Sequence, residues 1–241
     1  MITITEDEGL NVPRISTGVL GLDELLFGGL PKENQVLLAG DAGTGKTLLS
    51  FEILYRNAKM NIPGTFVTLE ERRKHLLENA GGAFSYFADI DSLIEKRVLQ
   101  ISEQEVINAF ESRESWQTFI VGINKILKAN NSQIMVLDSI TPLRPLAGDD
   151  RTFTRSINSM IENFRNLGIT TIVTMETTSA SFSEVSGLFG TYMFDGIMKL
   201  STSSLEGSFQ YLCQIIKMRR SNHRNAAMPY EITSKGFSVF K

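Results

Sequence analysis

The chain is 241 residues long, with 24 Lys+Arg against 27 Asp+Glu and a formal net charge of −3. That length suits one sizeable α/β unit with a large buried core, and the acidic balance argues against a dedicated nucleic-acid binder. The lone Cys213 rules out a disulfide within the chain, and no apolar run approaches the ~20 residues that span a bilayer. The N-terminus carries Glu6, Asp7 and Glu8 without an apolar stretch beside them, so it does not read as a signal peptide. A reducing cytoplasm is the expected setting.

In chain order, the pattern predicts strands over Gln35–Ala39, Gly64–Leu69, Arg97–Ile101, Gln133–Leu137 and Ile169–Met175. A helical segment runs from Leu48 to Met60 between the first two. Trp116, Phe119, Ile120, Ile123, Ile126 and Leu127 recur at helical spacing, as do Phe153, Ile157, Met160, Ile161, Phe164 and Leu167. Both stripes read as core, and Gly168 is placed to end the second helix. This alternation predicts a mostly parallel sheet flanked by helices. Beyond Asp195 the rhythm changes. Gly196–Leu200 and Phe209–Met218, joined by 203–208, read as an antiparallel hairpin, and Pro229–Thr233 with Phe237–Phe240 reads as another. Cys213, inside the apolar run Tyr211 to Ile216, reads as a buried structural thiol.

The first strand leads into Gly40-Asp41-Ala42-Gly43-Thr44-Gly45-Lys46-Thr47, a complete G-x-x-x-x-G-K-[ST], and Leu48 follows into the helix. In that strand–loop–helix setting the backbone N–H groups cradle phosphates, and the helix N-terminus adds its positive end. Lys46 reaches the β- and γ-phosphates and the Thr47 hydroxyl holds Mg²⁺. A glycine-rich turn with a solvated lysine is the plainer alternative, and the flanking elements disfavour it. The chain is expected to bind a nucleoside triphosphate.

Hydrolysis needs further groups. Asp138 ends the apolar run Ile134-Met135-Val136-Leu137, where an acid points into the crevice of an open α/β sheet. A Walker B metal role is preferred to a helix N-cap, although Ser139 and Thr141 follow. Glu70 and Glu71 directly follow a strand. They read either as the first acidic turn of a helix or as a water-activating pair at the same sheet edge. Glu176 ends another strand at that edge, as a phosphate sensor or a solvated strand end. Lys217, Arg219 and Arg220 read as a solvated edge, a modest anion patch, or cations for a neighbouring subunit's nucleotide. His223 has no metal constellation around it.

Ser16-Thr17-Gly18, Gly21-Leu22-Asp23-Glu24-Leu25-Leu26 and Gly28-Gly29-Leu30-Pro31 resemble the opening of RecA/RadA-like ATPases. Together with Glu70-Glu71 and Lys217-Met218-Arg219 they resemble a single KaiC-family domain from about Arg14 onward, with 1–13 as a tail. The resemblance implies a RecA-like core in a hexameric ring, with ATP between subunits. It implies that Glu70 and Glu71 activate water or a hydroxyl acceptor, and that Lys217 and Arg219 reach the γ-phosphate of the adjacent subunit. Met218, Ser221, His223, Thr233 and Ser234 match positions lining the neighbour's side of the pocket. Asn34 stands where many relatives have glycine, a change expected to affect only a turn, and Ser234 stands where aspartate is common. Thr191-Tyr192 is an imperfect match to the family's autophosphorylated pair.

The expected function is therefore a slow Mg²⁺-dependent ATPase acting as a ring of identical subunits. Three alternatives remain beside it: a non-catalytic ATP-dependent switch, a serine/threonine autokinase, and a RadA-paralogue-like DNA-binding ATPase. The acidic balance weighs against the last.

Overall fold

The computed structural model describes residues 12–83, 85–104, 109–177, 187–190, 192–205 and 208–240. Two short strands, β1 (Arg14–Ile15) and β2 (Leu30–Pro31), bracket the helix α1 (Leu22–Leu25). The main sheet begins with β3 (Gln35–Gly40), which runs through the glycine-rich loop into α2 (Lys46–Lys59). Next come β4 (Gly64–Thr68), α3 (Arg73–Ala83), α4 (Ile90–Glu95) and β5 (Leu99–Glu103). They are followed by α5 (Arg113–Ala129), β6 (Ile134–Asp138), α6 (Leu143–Ala147), α7 (Asp150–Asn166) and β7 (Thr170–Glu176). Two hairpins close the chain: β8 (Gly196–Leu205) with β9 (Ser208–Met218), and β10 (Met228–Thr233) with β11 (Gly236–Val239).

Among the described residues the main sheet has the order β11-β10-β9-β8-β3-β7-β6-β4-β5. Every pairing from β8 to β5 is parallel, and β9, β10 and β11 add on in antiparallel fashion. The architecture is the mostly parallel α/β sheet with antiparallel C-terminal hairpins that the sequence predicts. Side chains alternate between its two faces. Val36 and Leu38 join the core under α2, with Phe51, Tyr55, Phe66 and Phe87 in edge-to-face contacts. Leu37 and Ala39 join the core under α5 and α7. Phe153, Ile157, Met160, Ile161 and Phe164 are all fully buried there, and Gly168, at φ 68°, follows the helix end. Cutting Phe164 to alanine would cost about 3–5 kcal/mol. Cys213 is buried, which pushes its thiol up to about 12.

Most of the expected boundaries lie within two residues of those in the structure, and two departures have a clear cause. The strand expected from Arg97 begins at Leu99, because Arg97 takes a left-handed φ of 56° where α4 terminates. β8 and β9 stay paired out to Leu205 and Ser208, taking in residues 203–205 and 208, which read as loop. Thr202, Phe209 and Gln210 at this end are exposed, so the apolar alternation that marks a half-buried strand is missing there.

The register decides the location of chemistry. Gly40 pairs with Glu176, and Thr68 with Asp138, so these strand ends share one edge of the sheet. Met218 pairs with Gly196, itself opposite Val36. Gly196 lies four residues before Leu200, the partner of Gly40, so Met218 sits roughly 13 Å back toward the opposite edge.

Candidate functional site

At the loop edge, Gly43 and Gly45 adopt φ of 75° and 83°, a region that costs a residue with a Cβ but not glycine. Gly45 caps α2 without any side-chain hydrogen bond. The first-turn N–H groups of α2 thus have no intrahelical partner, an arrangement suited to receiving an anion. Thr44 Oγ1 and Lys46 Nζ both donate to the Asp41 carbonyl, at 2.7 and 2.8 Å, which folds the loop on itself. Burial lowers the Lys46 pKa, opposed by the carboxylates of Glu176, Asp138, Glu70 and Asp41.

These groups line a cleft of about 420 Å³. Ala42, Gly43, Gly45, Lys46, Thr47 and Leu48 form one wall; Glu70, Glu71, Asp138, Ser139 and Glu176 form another, with Phe51, Leu76 and Asn79 beside them. Asp138 is 4% exposed and accepts hydrogen bonds from Thr47 Oγ1 at 2.9 Å and from Thr174 Oγ1. Its burial raises its pKa, and the two hydroxyls counteract that. The helix-cap alternative for Asp138 does not describe this geometry, since its carboxylate is held by side chains of α2 and β7.

The glutamate pair divides. Glu70 Oε1 accepts the Ser139 hydroxyl at 2.9 Å, from the residue directly after Asp138. Glu71 Oε1 accepts the Asn79 amide at 2.5 Å, and its backbone is tied at both ends to the Thr68 hydroxyl. Neither belongs to the first turn of α3, which starts at Arg73. Glu176 is exposed on the cleft, with its N–H bonded to Thr141 Oγ1 at 2.9 Å.

The cationic segment lies at the opposite edge. Lys217 Nζ donates to the Phe194 carbonyl at 2.5 Å, and Arg219 lies 3.6 Å from Asp195. Arg220 donates to Asn34 Oδ1 at 2.6 Å and to the Lys32 carbonyl at 2.6 Å. Asn34 is fully buried, and its amide donates to the Arg219 carbonyl at 3.2 Å and to Met218 Sδ at 3.4 Å. Asn34 therefore does more than shape a turn: it ties β3 to the cationic segment. Met218 is 4% exposed, its side chain packed in this chain's own core. Ser221 Oγ donates to the Leu26 carbonyl at 3.4 Å, and neither ring nitrogen of His223 has a partner among the described residues.

Thr233 and Ser234 belong elsewhere. They sit exposed at the β10–β11 turn, and β10 runs toward the chain's own phosphate loop, where Ile232 Cδ1 would lie 2.7 Å from a Cβ on Gly45. The five positions expected to line a neighbour's pocket thus divide between the two sheet edges. Thr191 lies outside the described residues; Tyr192 beside it is 68% exposed.

The model of the KaiC ATPase family matches residues 15–241. The chain belongs to the KaiC family of ATPases. The circadian clock oscillator protein KaiC of Picosynechococcus sp. is 30% identical over 240 residues, covering 95% of this chain and 45% of that protein. This chain spans about half the length of the curated KaiC proteins it matches. The UPF0273 protein PH0284 of Pyrococcus horikoshii is 28% identical over 238 residues, 94% of each chain. A solved KaiC-like protein from the same archaeon, PH0186, matches with a TM-score of 0.81 at 28% identity, covering 95% of this chain and all of that one. The family match supports an ATP-binding P-loop protein. No helix among the described residues is long and apolar enough to cross a membrane.

Sequence reasoning missed Thr174, Ser139, Asn79 and Tyr230. Ser139 alone carried a local signal, being adjacent to Asp138; the others reach the site from β7, α3 and β10 through the fold.

Proposed function

We propose that this protein is a slow Mg²⁺-dependent ATPase working as a homo-oligomeric ring, six subunits being the number that family resemblance implies. Each nucleotide would lie between the P-loop edge of one subunit and the Lys217–His223 edge of the next. One observation carries the reading: the acids converge on the loop, while the cations that would complete the site stand at the opposite sheet edge of the same chain. Thr47 and Asp138, already in contact at 2.9 Å, are an all-oxygen donor pair that fits Mg²⁺, a cation that keeps several waters and takes its remaining oxygens from phosphates. When bound, the ion would neutralise charge on the β- and γ-phosphate oxygens.

Lys46 exchanges the Asp41 carbonyl for phosphate oxygens, and the N–H groups of 43–48 hold the remainder. Glu70, oriented by Ser139, accepts a proton from the water that attacks the γ-phosphorus. The new P–O bond forms as the bond to the β-phosphate oxygen breaks, giving ADP, phosphate and a released proton. Lys217 and Arg219 of the adjacent subunit offset the charge of the transition state.

The test pairs phosphate release with particle size, with and without Mg·ATP. Turnover should track assembly, and Glu70→Gln should bind ATP and assemble but release little phosphate. Binding and assembly with no phosphate release from the unaltered protein would instead establish the non-catalytic switch; turnover by a monomer would end the ring reading.

A further inference from the structure

A peptide unit is planar and trans, so the oxygen of one residue and the N–H of the next point opposite ways. The unit joining Thr44 to Gly45 sits just ahead of α2, whose first bond runs from the Leu49 N–H to the Gly45 carbonyl at 2.8 Å. The Thr44 oxygen is therefore outside the helix ladder, and a carbonyl turned away from water requires a partner. It accepts the Tyr230 hydroxyl at 2.5 Å, from a strand 186 residues further along the chain.

We propose that Tyr230 is a positioning residue for nucleotide binding: its hydroxyl holds the Thr44 oxygen outward and so aims the Gly45 N–H into the phosphate cradle. The inference rests on ATP binding at the loop. Tyr230 is 2% exposed and stacks on Phe237, centroids 4.3 Å apart at 20°. The Phe237 N–H donates at 2.8 Å to Glu52, a fully buried acid of α2 that also accepts Arg56 Nε at 2.8 Å. The hairpin is thereby pinned to the helix whose N-terminus receives the phosphates. It touches the loop at adjacent residues, through Tyr230 at Thr44 and through Ile232 at Gly45. Packing alone needs a ring at position 230. The hydroxyl is what reaches the loop, and burial raises its pKa and keeps its proton in place to donate.

Calorimetry with Mg·ATP and with inorganic tripolyphosphate tests this, since both probes use the cradle. Tyr230→Phe should weaken both by about tenfold, as expected for one lost hydrogen bond to a buried carbonyl. KM should rise with kcat unchanged, and the nucleotide-free melting temperature should fall by only the few degrees that one lost hydrogen bond costs. Tyr211→Phe, which alters a ring tilted against Tyr230 at 34° with centroids 5.4 Å apart, should leave both affinities unchanged. Wild-type affinity in Tyr230→Phe, or a fall in kcat at constant KM, overturns the proposal. Should that variant not fold, amide exchange in the unaltered protein decides: protection of the Gly45 N–H on binding tripolyphosphate supports the proposal, and no change at that amide overturns it. An unaltered protein that binds neither probe fails earlier, at the ATP-binding reading itself.

Discussion

The two edges of the main sheet carry opposite charge and are built differently. At the P-loop edge, acids from three parallel strands converge on one lysine, so the edge is assembled by register and lies open to a ligand. At the other edge the cations are already held. Lys217 is tied to the Phe194 carbonyl, Arg219 lies beside Asp195, and Arg220 and Asn34 bond each other. Burial, then the nearby Arg219, lowers the Lys217 pKa, with Asp195 acting against them. On the function proposed above, one edge is a receptor and the other a preformed tool for a neighbouring subunit, since within one chain they cannot meet.

The most severe way to break that contrast is Arg219→Ala. Loss of a transition-state cation should reduce turnover by about 10³-fold while ATP binding at the intact loop persists. Mixing Arg219→Ala with Glu70→Gln subunits should restore part of the turnover, because some interfaces then combine two intact halves. No recovery in mixed assemblies would mean that the two edges do not share a site.

A second substitution pair sharpens the receptor edge itself. Glu70→Gln should lower kcat by about 10²-fold or more. Glu71→Gln should do far less, since Asn79 and Thr68 already hold that residue. Single-turnover phosphate release separates them, and equal losses would return the pair to joint action.

Acidity provides a third probe. Mg²⁺ competes with a proton for Asp138, whose pKa lies above its ordinary value because of burial. Mg·ATP binding should therefore fail on acidification at a higher pH than for a solvated aspartate. Thr174→Val removes a hydrogen bond that lowers this pKa and should move the acid limb up further. Stability of the metal-free protein has the opposite sign: the contribution of protonated Asp138 is complete below its unfolded pKa and is lost as pH rises through the raised folded value. Binding titrations and melting curves across the acid range read the two trends separately.

The smallest effect tests the tool edge. Asn34→Gly should cost about 1–3 kcal/mol by leaving the Arg219 carbonyl without its amide donor. Turnover should fall several-fold with the ATP-binding constant preserved, measurable by denaturant melts beside steady-state kinetics.

Local chemistry made much of this legible in the sequence. The P-loop is a contiguous motif whose strand, turn and helix are each dictated by neighbouring residues. Asp138 announces itself by ending an apolar strand, and the stripes of α5 and α7 carry their own period. What stayed hidden depends on contacts across long stretches of chain. The separate partners of Glu70 and Glu71, the tie from Asn34 to Arg219–Arg220, and the reach of Tyr230 to Thr44 have no spacing rule, because register and hairpin packing create them. The same reason places the Thr233–Ser234 turn at the P-loop edge of the sheet and Lys217 at the far edge. The sequence by itself determined which chemical groups the protein owns and which of them make up a phosphate-loop motif. Only the tertiary structure decided which of them share an edge, since strand direction and pairing order are properties of the assembled sheet.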